Sequence, residues 1–111
     1  MGGLISTYAG FLYPEIYSKL MIFSPSFWVD PQIYNDASAF KQPFHMKIYL
    51  YGGGGEGRYM VPGIKKFAQS LKQFRNSSNI EIKISVDAKG RHNESRWGEE
   101  FPQALEWLYF S

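Results

Sequence analysis

Residues 45–57 read HMKIYLYGGGGEG, an apolar run that passes into four consecutive glycines and ends on a carboxylate. His45 to Tyr51 predicts a β-strand, and Gly52 to Gly55 a turn at its carboxyl end that makes room for Glu56. Upstream, Lys19 to Phe23 is a short unbroken apolar run stopped by Ser24, Pro25 and Ser26, which fits a strand buried on both faces of a parallel sheet. Downstream, Ile64, Phe67, Ala68, Leu71 and Phe74 form one stripe between Met60 and Arg75, while Lys65, Lys66, Lys72 and Gln73 fall elsewhere, so the segment predicts an amphipathic helix. Between Asn79 and Asp87, Ile80, Ile82, Ile84 and Val86 alternate with Glu81, Lys83, Ser85 and Asp87, the pattern of a half-exposed strand near a sheet edge.

The two ends read as helices. Leu4, Tyr8, Phe11 and Leu12 recur at helical spacing from Gly2 to Tyr13 and stop at Pro14. Phe101, Leu105, Leu108 and Tyr109 do the same from Glu99 to Phe110, with Pro102 expected in the first turn, where proline is tolerated. The order helix, strand, strand, helix, strand, helix predicts an α/β fold with a mostly parallel sheet and right-handed crossovers. In such folds the functional loops lie at the strand carboxyl ends, here SPSFW (24–28), GGGGEG (52–57) and DAKGRHNE (87–94). A doubly wound sheet rarely opens on a helix with no strand before it, so the pattern predicts sheet strands upstream of Met1.

Composition narrows the functional classes. A chain of 111 residues allows one domain, and 44% hydrophobic with 18% aromatic residues supplies a core and excludes a disordered chain. Twelve Lys and Arg against ten Asp and Glu leave a formal charge of +2 with no basic stripe, which argues against nucleic acid as a partner. The absence of cysteine excludes disulfides and thiolate metal sites but leaves the compartment open, cytoplasmic or exported. The start of the chain does not read as a signal peptide, since no basic flank precedes a continuous apolar core, and no apolar run approaches the roughly 18 residues of a membrane span, so no membrane partner is expected. GGGGEG is not a dinucleotide fingerprint, because it does not follow the first strand of a βαβ unit and lacks an acidic residue about 20 positions on. Neither a cofactor nor a metal is expected.

Acyl transfer on this architecture uses a nucleophile at a strand-to-helix elbow, written G-x-S-x-G, followed in the chain by an acid and then a histidine. Met1 and Gly2 match only its last two positions. His92, in GRHNESRW, follows the last strand; a lone histidine near a glycine suits an ordinary surface position, and an imidazole titrating near roughly 6.5 can also take a serine proton at neutral pH. Glu56 suits an orienting acid as well as a solvated loop carboxylate, and Asp87, five residues before His92, is its rival. Ser26, Phe27 and Trp28 suit the wall of an acyl or alcohol pocket as well as core packing. Trp97 is expected to anchor the His92 loop, Asn93 and Glu94 to hold it through local hydrogen bonds, and His45 to do no more than begin its strand.

MGGLISTYA (1–9), YPE (13–15), FSPSFW (23–28), KIYLYGGGGEG (47–57) and GRHNESRWGEEFP (90–102), taken together, resemble the α/β-hydrolase family of enterobactin esterases, esterase D and the carbohydrate acetyl and feruloyl esterases. The resemblance covers almost the whole chain. It implies that residues 1–111 are a partial hydrolase domain, the carboxyl-terminal part of a serine carboxylic-ester hydrolase whose nucleophile would immediately precede Met1. It implies His92 as general base, Glu56 (alternatively Asp87) as orienting acid, and the backbone N–H of Met1 as an oxyanion-hole donor. The substrate implied is a small-molecule or carbohydrate-linked ester. An acyltransferase of the same fold, or a noncatalytic remnant, is the alternative. On this reading the chain alone is inactive, and the strand at Leu20 to Phe23, stripped of an upstream neighbour, exposes an edge through which it self-associates.

Overall fold

The computed structural model describes residue 7 and residues 19–25, 27–39, 45–72, 80–89 and 94–110. Three parallel strands lie in the order of the sequence: β1 (Lys19–Phe23), β2 (Met46–Gly53) and β3 (Ile80–Asp87). Pairing runs from Lys19 opposite Lys47 to Phe23 opposite Tyr51, and from Met46 opposite Ile80 to Gly53 opposite Asp87. Parallel neighbours need a crossover between them. The first crossover contains α1 (Gln32–Ala39), the second α2 (Met60–Lys72), and α3 (Glu94–Phe110) follows β3.

Because side chains alternate along a strand, the sheet divides its apolar residues by parity. Leu20, Ile22, Ile48 and Leu50 pack with Phe27, Ile33 of α1, and Ile64, Phe67 and Leu71 of α2. Tyr49 and Tyr51, flanked by Met21 and Phe23, pack on the other face against Ala104 and Leu108 of α3. Every residue of β2 is buried, which is why its sequence is largely apolar at both parities; the exception, Lys47, donates to the Trp107 carbonyl at 2.9 Å. The coarse expectation of an α/β fold with a parallel sheet therefore holds.

Several details differ from the sequence reading. Helix α1 was not anticipated: Ile33 and Ala37 are its fully buried positions, and Asn35, Asp36 and Ser38 dilute the apolar signal. α3 starts at Glu94 rather than Glu99, so Pro102 sits in the helix interior and not in its first turn. The buried stripe of α3 is also rotated. Trp97 and Trp107 are half-buried, Ala104 and Leu108 are buried, and Phe101 and Tyr109 face solvent. Among the described residues β3 stands at one end of the sheet as expected, with Ile84 and Val86 exposed. Among the described residues β1 pairs with β2 alone. The first expected helix lies, except for Thr7, outside the described residues, as does Phe74.

One glycine brings two loops at the carboxyl edge of the sheet together. A Cβ on Gly54 would stand 2.4 Å from the carbonyl oxygen of Ala88, so the loops after β2 and β3 touch only because that position has no side chain. Gly54→Ala should destabilise the chain by about 1–3 kcal/mol, the usual range for overpacking against structure that cannot yield. Gly98, in α3 with nothing within 4 Å of its would-be Cβ, provides the opposite case. Gly98→Ala should stabilise by up to about 1 kcal/mol through helix propensity. Urea unfolding of the two variants checks both signs.

Candidate active site

Parallel strands deliver their carboxyl ends to one edge, where Ser24 follows β1, Glu56 follows β2 in a single 3₁₀ turn (Gly54–Glu56), and Asp87 ends β3. Ser24 is buried and holds φ at 52°, the left-handed region, although Pro25 follows it. That region costs an L-residue roughly 1–2 kcal/mol. Its backbone N–H donates to the Tyr51 carbonyl at 2.7 Å, which fixes the bend at the end of β1 to the neighbouring strand.

The Ser24 side chain links three elements. Its hydroxyl donates to Glu56 Oε2 at 2.8 Å and accepts from the indole Nε1–H of Trp97 at 3.0 Å. The same Oε2 accepts from the Gly53 N–H at 2.8 Å. The Glu56 carboxylate is thus held by a strand end, by the turn that carries it and, through Ser24, by α3.

Asp87 is engaged differently. It accepts from Arg96 Nε at 2.9 Å and from the Lys89 N–H at 3.1 Å. Arg96 also donates to Glu100 Oε2 at 3.3 Å and lies 4.8 Å above the Tyr51 ring. Hydrogen bonding to Asp87 raises the guanidinium pKa further. Glu100, only 1% exposed, accepts the Tyr49 hydroxyl at 2.7 Å. Among the described residues the buried Tyr51 hydroxyl has no hydrogen-bond partner. This polar seam between β2, β3 and α3 was not foreseen. Its one sequence signal is Arg96 and Glu100 at i, i+4 spacing.

The seam makes the fold alkali-sensitive. Burial first, and then the hydrogen bond to Glu100, push the Tyr49 phenol up to about 12, and burial also raises Tyr34 and Tyr51. An unfolded chain loses a tyrosine proton near roughly pH 10. Between the two values the folded state holds the proton and the unfolded state does not, so stability present below about pH 10 falls as pH rises through 12, by on the order of 2–3 kcal/mol for Tyr49. Tyr49→Phe should flatten that fall, as read by urea unfolding at pH values on either side of 10.

Of the residues expected to line a pocket, Ser26 lies outside the described residues. Phe27 is fully buried and stacked on Phe67, with centroids 4.3 Å apart, so it packs the core. Trp28 is half-buried and borders a groove of about 280 Å³ with Tyr34, Tyr59, Pro62 and Lys66. His92, Met1 and Asn93 also lie outside the described residues. His45, at the opposite end of β2 from Glu56, contacts Glu81. Among the described residues no group of three His, Asp or Glu is placed to hold a metal, and no helix is long and apolar enough to cross a membrane.

No family model matches the chain. The chain is 28% identical over 116 residues to an uncharacterized protein of Bacillus subtilis (strain 168), YbbA, an alignment that covers 98% of the chain and 46% of that protein. The chain thus spans about half the length of the curated relative it matches. No solved structure matches.

Proposed function

We propose that the chain forms the carboxyl-terminal part of an α/β-hydrolase that cleaves carboxylic esters through an acyl-serine intermediate. The observation that carries the reading is the Glu56 carboxylate, held by Ser24 and Gly53 at the carboxyl edge of a parallel sheet. In the sequence His92 falls five residues after Asp87 and four before Arg96, and those two residues are hydrogen-bonded to each other. A carboxylate has about four acceptor sites. Accepting Ser24 and Gly53 is therefore compatible with accepting an imidazole N–H. Asp87 shares its charge with Arg96, which makes Glu56 the better orienting acid.

In this reading a serine contributed by the segment before Met1 attacks the ester carbonyl as His92 takes its proton, and Glu56 keeps the imidazole in the required tautomer and stabilises the imidazolium. His92 then returns the proton to the departing alkoxide. Water, deprotonated by His92, cleaves the acyl-serine to free acid and regenerates the hydroxyl. Ser24 is not the nucleophile here. Its hydroxyl is buried, donates to Glu56 and accepts from Trp97.

The test is to read the frame upstream of Met1 for G-x-S and to assay the encoded protein with short nitrophenyl esters. Turnover that needs this serine supports the proposal. Acyl transfer to an added alcohol in preference to water would assign an acyltransferase instead. A frame without the serine, and no turnover, would leave a noncatalytic remnant.

A further inference from the structure

We propose that Ser24 is a positioning residue for Glu56, and that Trp97 sets the direction of the Ser24 hydroxyl; the inference rests on the esterase reading above. A serine hydroxyl carries one proton, and its rotor is free unless a neighbour fixes it. The indole N–H is a donor only, so at 3.0 Å it occupies a lone pair on Ser24 Oγ and prevents the hydroxyl proton from pointing at Trp97. The proton is directed instead to Glu56 Oε2, 2.8 Å away. Gly53 N–H reaches the same oxygen from another direction at 2.8 Å. Two donors converging on one oxygen fix the terminal torsion of a glutamate, which is otherwise broad and poorly specified.

The backbone supports the assignment. At φ 52°, glycine would take the Ser24 position without steric cost, yet a serine occupies it, and its side chain makes both contacts across the chain. Backbone held in a sparsely populated region by its surroundings is commonly found at functional sites. Trp97 lies in the first turns of α3, five residues after His92 in the sequence. The same indole therefore couples the helix that follows the base to the loop that carries the acid.

The experiment uses the complete esterase, with kcat and KM for a short nitrophenyl ester measured for Ser24→Ala, Ser24→Gly, Glu56→Gln and the double variant Ser24→Ala/Glu56→Gln. A misplaced catalytic group costs roughly up to 100-fold. Ser24→Ala and Ser24→Gly should therefore lower kcat alike, by about 10- to 100-fold, and leave KM within about twofold. Thermal unfolding should rank Gly at or above Ala, so that kcat does not follow stability as it would for a purely structural residue. In the Glu56→Gln background, Ser24→Ala should add almost nothing, because the two act as one unit. If Glu56→Gln lowers kcat and Ser24→Ala does not, or if the losses multiply, the positioning role is overturned and the esterase reading stands. If the parent protein has no ester turnover, or Glu56→Gln leaves it unchanged with the serine still required, the role of Glu56 fails and this inference fails with it.

Discussion

Replacing His92, the proposed general base, with alanine in the longer parent protein should lower kcat on a short nitrophenyl ester by at least about 10³-fold while leaving KM nearly unchanged, because a general base acts in the transition state and not in binding. The residual activity would come from whatever oxyanion hole and binding contacts the longer protein supplies, since those survive removal of a triad member. Glu56→Gln should cost less than His92→Ala, by a margin of roughly 10- to 100-fold, as the orienting acid does relative to the base in a comparable serine triad. His45→Ala is the internal control. The chain has two histidines, and His45 stands just before β2 at the end opposite the proposed site, exposed beside Glu81. Comparable losses at both histidines would mean that damage to the fold had been mistaken for chemistry, and would remove His92 from the mechanism.

What the sequence disclosed follows from which interactions are local. β1 has the expected bounds, and the buried positions of α2 at Ile64, Phe67, Ala68 and Leu71 are those of the expected stripe, because burial on one face imposes a period that can be read directly. α1 was invisible to that test, since a short crossover helix needs only Ile33 and Ala37 in the core and its other positions are free to be polar. The first turns of α3 were missed for a related reason. Glu94 to Glu99 is polar with a glycine inside, and contacts from Arg96 to Asp87 and from Trp97 to Ser24 tie it to the sheet. Glu56 could be singled out because it ends a glycine run after a strand. Its partner Ser24 could not, since that bond joins residues 32 apart and the Trp97 contact joins residues 73 apart. The one hint was the Ser-Pro pair at the end of β1, whose left-handed turn runs against the extended preference of residues before proline.

The largest stability effect is expected at Arg96. Its guanidinium bridges Asp87 at the end of β3 and Glu100 inside α3, covers the Tyr51 ring, and is itself mostly buried. Arg96→Met would keep much of the hydrophobic stem but leave Glu100, 1% exposed, with the Tyr49 hydroxyl and without its countercharge. Breaking a buried pair from one side costs about 3–5 kcal/mol, a large share of the roughly 5–15 kcal/mol that holds a domain folded. Asp87 adds little to that loss, since it is about a third exposed and water can replace the missing donor. The attribution to an orphaned charge, and not to lost packing, is separable. Removing the whole polar group in the triple variant Tyr49→Phe, Arg96→Met, Glu100→Leu should recover most of the stability, because apolar replacement of a buried pair is often neutral or favourable. Urea unfolding of the single and triple variants measures both steps. If the single variant loses less than about 1 kcal/mol, Glu100 is not an uncompensated buried charge in the variant. If the triple variant is as unstable as the single one, the loss comes from packing at the start of α3, and the Arg96 seam is a spacer between helix and sheet, not an electrostatic bridge.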